Sequence, residues 1–133
     1  MSLFMLDTDT ASYLIRGDHP EVTAAFSRNI REVCISVITS AELQYGAKRR
    51  GSQPLWRKVQ AFCNLVQCLD WSAEAAAQYA ELRVALEAEG TPIGSMDMLI
   101  AASALAAKAV LVTNNTAHFS RIRGLSLANW VTK

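Results

Sequence analysis

Residues 4–10 read FMLDTDT, and the junction inside this stretch decides the fold. The run LFML at 3–6 is apolar without interruption, the pattern of a short strand buried on both faces of a parallel sheet. It stops at two carboxylates, Asp7 and Asp9, separated by Thr8. Three explanations stay open here: a phosphatase nucleophile motif, a metal-binding acid at a strand end, or a polar helix cap.

Working outward, Thr8 or Asp9 is expected to cap a helix ending near Arg16-Gly17. Pro20 suits the first turn of a second helix, to about Asn29. VCIS at 33–36 predicts a second strand passing directly into a helix that stops around Gly51. A helix after Pro54 carries Leu55, Val59, Phe62 and Leu65 on one side. VQCLDW at 66–71 reads as a third strand, and Ser72 as the cap of an alanine-rich helix to about Glu89. The break GTPIG at 90–94 precedes a helix capped by Ser95 and running to about Lys108. AVLVT at 109–113 is the best strand in the sequence. A short helical stretch near Phe119 and a last strand around 125–127 complete the chain. Strands alternating with helices at this spacing predict an α/β/α sandwich with a mostly parallel central sheet.

The length of 133 residues predicts a single domain over 1–133, since domains run roughly 100–200 residues. With 13 basic and 12 acidic residues the formal charge is +1, so any nucleic-acid surface must come from local clustering. The three cysteines lack paired CxxC spacing and read as free thiols in a reducing compartment. The N-terminus lacks the basic and long apolar regions of a secretory signal. The apolar stretch LIAASALAA at 99–107 is shorter than the roughly 18–20 residues that span a bilayer. A soluble, cytoplasmic protein with no membrane partner is expected.

In parallel sheets, sites form beyond the carboxyl ends of the strands. Asp7 follows the first strand, Glu42 lies early in the helix entered from VCIS, Asp97 in the first turn of the helix at Ser95, and Asn115 just after AVLVT. Each has a bland explanation. Thr39-x-x-Glu42 matches a capping box, Asp97 could complement a helix dipole, and Asp7 and Asn115 could be turn residues. Capping alone does not explain why such acids recur at strand ends. Converging carboxylates suit Mg²⁺ or Mn²⁺, which take oxygen ligands and keep waters. Nearby helix N-termini would hold the acids ionised. Phosphodiester hydrolysis is the chemistry most often run on such a site, with two ions about 3.5–4 Å apart in its paired version.

The phosphatase reading fits poorly. Haloacid-dehalogenase-like enzymes use D-x-D-x-[TV], and Asp7-Thr8-Asp9-Thr10 is followed by Ala11. They also need a later lysine and an acid pair, yet Lys108 is the only lysine in the second half before the terminus.

The ordered segments FMLDTDTASYLIRG, CISVITSAELQYGAKR, GTPIGSMDMLIAASA and LVTNNTAHFSRIRGLSLANW resemble the PIN-domain nucleases, specifically the VapC toxins of type II toxin–antitoxin systems. The resemblance covers essentially the whole chain. It implies a PIN fold, a Mg²⁺-dependent endoribonuclease with Mn²⁺ as a substitute, and inhibition by a VapB-type antitoxin. It also implies a tRNA substrate (initiator tRNA in several similar toxins), homodimers, and toxin–antitoxin hetero-oligomers. Carried over by position, Asp7, Glu42 and Asp97 are the metal-binding acids. Asn115 stands at the fourth acidic position of the family's T-x-D, as Thr113-Asn114-Asn115, which removes a charge and favours one well-occupied ion.

Thr8, Asp9, Thr113 and Asn114 are expected beside the acids, supporting them or touching RNA. Lys48 and Arg49, within Lys48-Arg49-Arg50, either contact RNA phosphates or complement the end of their helix. Arg83 either contacts RNA or pairs with a neighbouring acid. His118 is a minor candidate for proton transfer, and Trp56, Trp71 and Trp130 read as packing residues.

Overall fold

A computed structural model describes residues 2–132. Five strands, β1 (Phe4–Leu6), β2 (Val33–Ser36), β3 (Gln67–Leu69), β4 (Val110–Val112) and β5 (Ser126–Ala128), form one sheet in the order β3-β2-β1-β4-β5. All four pairings are parallel. The helices are α1 (Thr8–Arg16), α2 (Pro20–Asn29), α3 (Val37–Arg50), α4 (Gln53–Leu65), α5 (Ala73–Ala88), α6 (Ser95–Ala107) and α7 (Thr116–Phe119), with a 3-10 turn at Ile30–Glu32.

Alternation along the strands sorts the core into two layers. Met5, Cys34 and Leu111 face α5, α6 and α7, packing with Leu82, Leu86, Met98 and Phe119. Leu6, Ile35 and Val112 face the other way, onto α1 to α4, with Ala11, Phe26, Leu43, Val59 and Phe62. This is the α/β/α sandwich expected from the apolar strands. Each fully buried large aliphatic contributes about 1.5–3 kcal/mol. The tryptophans pack as expected: Trp71 donates Nε1–H to the Leu99 carbonyl at 2.9 Å, and Trp130 meets Phe4 with ring centroids 5.8 Å apart. The three thiols are free, and burial pushes that of Cys34 up to about 12. Among the described residues no helix is long and apolar enough to cross a membrane.

Three local expectations need correction. The cap of α1 is Asp7 itself, not Thr8 or Asp9; its backbone is extended and its side chain accepts from Thr10 N–H. Helix α6 starts at Ser95, with Gly94 at the cap position and no side-chain cap bond. The capping box at Thr39 and Glu42 does not form, because β2 enters α3 without a loop and Ser36 takes the cap, accepting from Ile38 N–H at 3.1 Å. Ser36 is fully buried and also accepts from the Ser103 hydroxyl at 2.9 Å, which ties α6 to the β2–α3 junction.

The strand order runs one way from β1 through β2 to β3 and the other way through β4 to β5. The crevice outside the carboxyl ends of β1 and β4 is therefore the topological switch point, where open α/β sheets place their sites. Asp7 follows β1 and Thr113 follows β4.

Candidate metal centre

Asp7 is pinned from three directions. Its backbone N–H donates to the Val112 carbonyl at 3.0 Å, continuing the β1–β4 ladder past the end of the strand. Its Oδ1 accepts from Thr10 N–H at 2.9 Å. The Thr113 hydroxyl accepts from Asn115 N–H at 2.9 Å, which leaves its own proton to favour the Asp7 carboxylate. Only 5% of Asp7 is exposed.

Glu42 reaches the same crevice from α3, half-buried, and accepts from the Thr8 hydroxyl. Thr8 thus aims a glutamate from a helix 34 positions away in sequence, while the buried Thr39 lies behind both, 3.5 Å from the Thr8 hydroxyl. Asp97 sits in the first turn of α6, half-buried, with an Oδ2 that curls back towards Gly94. Asn115 follows β4 and contacts His118, Nδ2 to Nδ1 at 3.0 Å.

Electrostatics show that these side chains share one region. The Asp97 carboxyl is pushed up first by burial and then by repulsion from Asp7, Glu42 and Asp9, with His118 pulling the other way. Asp7 is also pushed up, by burial, against the Thr113 and Thr10 hydrogen bonds. The Asp7 and Asp97 carboxyls thus stand above the ordinary carboxylate value, with burial the largest cause in both. Among the described residues the ion pairs are Arg16–Asp18, His19–Asp18 and Arg83–Glu87, so no basic side chain pairs with Asp7, Glu42 or Asp97.

The donor set fits a hard divalent cation. It consists of carboxylate oxygens with amide and hydroxyl groups around them, as Mg²⁺ or Mn²⁺ prefer. Among the described residues no three His, Cys, Asp or Glu side chains gather closely enough to hold a metal ion by themselves, so a cation here would need waters to complete its shell.

Other expected positions divide. Asp9 is exposed on α1 yet close enough to raise Asp97, and Asn114 accepts from the Asn129 amide at 3.1 Å beside β5. Lys48 lies over the Trp56 ring, 4.0 Å from its centroid, and Arg49 is exposed at the end of α3. Arg83 is held on α5 by Glu87 at 3.1 Å and by the Tyr79 hydroxyl at 2.8 Å. That is the bland outcome for Arg83. The Ser36–Ser103 bond under the crevice carried no sequence signal, since its partners lie 67 positions apart.

The family model for the PIN domain matches residues 4–125. The chain belongs to the PIN-domain family. Relatives that match over nearly the whole chain include proteins named VapC. The tRNA(fMet)-specific endonuclease VapC of Salmonella typhimurium is 35% identical over 131 residues, 98% of this chain and 99% of the relative. Ribonuclease VapC2 of Rickettsia felis is 38% identical over 135 residues, 96% and 98% of the two chains. In the solved structures, this PIN domain superposes on a chain of VapBC2 from Rickettsia felis bound to a promoter DNA fragment, with TM-score 0.90, 36% identity and 96% and 98% coverage. It matches a chain of DNA-bound VapBC from Salmonella typhimurium with TM-score 0.89, 36% identity and 98% and 99% coverage.

Proposed function

We propose that this PIN domain is a Mg²⁺-dependent endoribonuclease, the toxin of a type II toxin–antitoxin pair, with tRNA as its substrate class. The observation that carries the site assignment is the cluster itself: Asp7 at the end of β1, Glu42 held by Thr8, and Asp97, raised by burial and then by Asp7 and Glu42, with no lysine or arginine paired to them among the described residues. Such a set costs stability unless a cation joins it.

Asp7, Glu42 and Asp97 would hold the ion. Bound there, a divalent cation lowers the pKa of an attacking water and neutralises charge on a phosphodiester. The rest is the chain's own work. Thr10 N–H and the Thr113 hydroxyl fix the Asp7 carboxylate, and Thr8 fixes Glu42. The Asn115 amide, held against His118, orients the water, and its neutrality favours one ion over two. The partners we infer are RNA, a VapB-type antitoxin covering the crevice, and a second copy of the chain. Kinship to the VapC named for tRNA(fMet) supports the tRNA reading, and likeness to VapBC complexes supports the antitoxin.

The test is incubation of the purified chain with total RNA, with Mg²⁺ or EDTA, beside Asp7→Asn. Cleavage confined to the wild type with Mg²⁺ is expected. Equal cleavage by the variant would overturn the site assignment.

A further inference from the structure

A cleft adjoins the acids on the side of α1, α3 and α4, and it shares Thr8 and Glu42 with them. Its volume is about 170 Å³. Leu43, Ala47, Leu55 and Val59 make an apolar floor, and Arg16 and Arg50 stand at the rim. Glu42, Gly46 and Arg50 follow one another at i, i+4 and i+8 on α3, so one helix face runs from the acids through the cleft to a guanidinium. Arg16 is tied to Asp18. Arg50 is exposed and, among the described residues, its side chain makes no hydrogen bond or ion pair.

Gly46 is the second, independent observation. It lies in the interior of a 14-residue helix, where glycine is the least favourable residue after proline. A Cβ built on it meets nothing within 4 Å, so no neighbour in the fold requires its absence, and its φ is not positive. The space over Gly46 is open and belongs to the cleft.

We propose that this cleft is a nucleobase subsite, taking one unstacked base of the RNA strand whose phosphate lies at the acids. This rests on the endoribonuclease reading above and adds where the strand is read. The base lies over Gly46 on the apolar floor, and the Arg50 guanidinium stacks on it or meets the adjoining phosphate, as arginine does at splayed single-stranded nucleotides. The shared residues favour this occupant. A strand with its scissile phosphate beside Glu42 carries its next nucleotide past Thr8 and into the cleft, and the cationic rim matches a polyanion.

The experiment uses an RNA stem–loop whose cut is mapped with the wild-type chain, and versions with an abasic nucleotide at each position flanking the cut. One abasic position should lower kcat/KM by about tenfold or more, the scale of a lost base contact. Gly46→Leu should lower kcat/KM on the intact RNA by a similar factor and be indifferent to that abasic position. Gly46→Ala should fold as the wild type does, read by its thermal melt, because its Cβ meets nothing within 4 Å and alanine is the better helix former. If the wild type cuts every abasic RNA as fast as the intact one, the cleft reads no base and the proposal falls. It falls equally if Gly46→Leu cuts intact RNA at the wild-type rate, the result expected if the cleft serves a protein partner. Failure of the wild type to cut any RNA with Mg²⁺ would overturn both readings.

Discussion

Replacing Asp7 separates its two jobs, because asparagine caps a helix as well as aspartate does. In Asp7→Asn the Thr10 N–H keeps its acceptor while the buried charge disappears. Burial raises the Asp7 carboxyl in spite of its hydrogen bonds, so without metal at neutral pH the variant should melt no lower than the wild type. Asp7→Ala also loses the cap, which costs about 1 kcal/mol. At about 2.1 cal/mol/K per residue, 133 residues give an unfolding entropy of about 280 cal/mol/K, so 1 kcal/mol is about 3.6 °C. Mg²⁺ at about a hundred times its dissociation constant adds about 2.7 kcal/mol, or about 10 °C on the same scale. Thermal melts in EDTA and across a Mg²⁺ titration read both effects. The wild type should rise with Mg²⁺ while neither variant does, and in EDTA Asp7→Asn should exceed Asp7→Ala by at least about 4 °C. A variant that keeps the full Mg²⁺ response would refute the ligand role. Equal melting of the two variants in EDTA would refute the cap.

Further outcomes follow from the same geometry. Thr8→Val leaves the acids in place but frees Glu42, and Mg²⁺ affinity by calorimetry should fall about 10–100-fold, as when a ligand loses its supporting bond. Ser36→Ala removes a buried double acceptor, and melting should fall by about 4–11 °C for a loss of about 1–3 kcal/mol. Raised carboxyls penalise folding where they are ionised, and the penalty fades as pH falls through their folded pKa towards the ordinary value near 3.8. Their contribution to metal-free stability should therefore increase from neutral to mildly acidic pH, and a flat difference between wild type and an Asp7→Asn/Asp97→Asn double variant across that window would contradict this. Arg83→Ala should leave RNA cleavage within about twofold and the thermal melt unchanged, since its exposed pair with Glu87 is local to α5.

The sheet was legible because its strands are short apolar runs ended by polar residues, and the acids were legible because they stand where those runs end. The caps were not. At Asp7-Thr8-Asp9 each residue is a competent cap, and the choice depends on the backbone bond from Asp7 to Val112, which local sequence does not encode. Ser95 has cap chemistry, yet the chain enters α6 one residue earlier, with Gly94 extended. The Thr39–Glu42 box lost to a tertiary partner, since Thr8 from another helix takes Glu42. The upward shift of the Asp7 and Asp97 carboxyls likewise comes first from burial in the assembled crevice. Arg83 was ambiguous only until the hydroxyl of Tyr79 joined Glu87 one turn away on each side.

The β1–β4 seam at the switch point has a consequence for synthesis. The chain emerges from its N-terminus at about 5–20 residues per second, and β1 must wait for β4, 106 positions later in register, before its inner edge is paired. Asp7 and Glu42 leave the ribosome early, whereas Asp97, Thr113 and Asn115 belong to the last third. No N-terminal fragment short of β4 holds the complete set. The crevice can therefore be completed only after nearly all of the chain has been made.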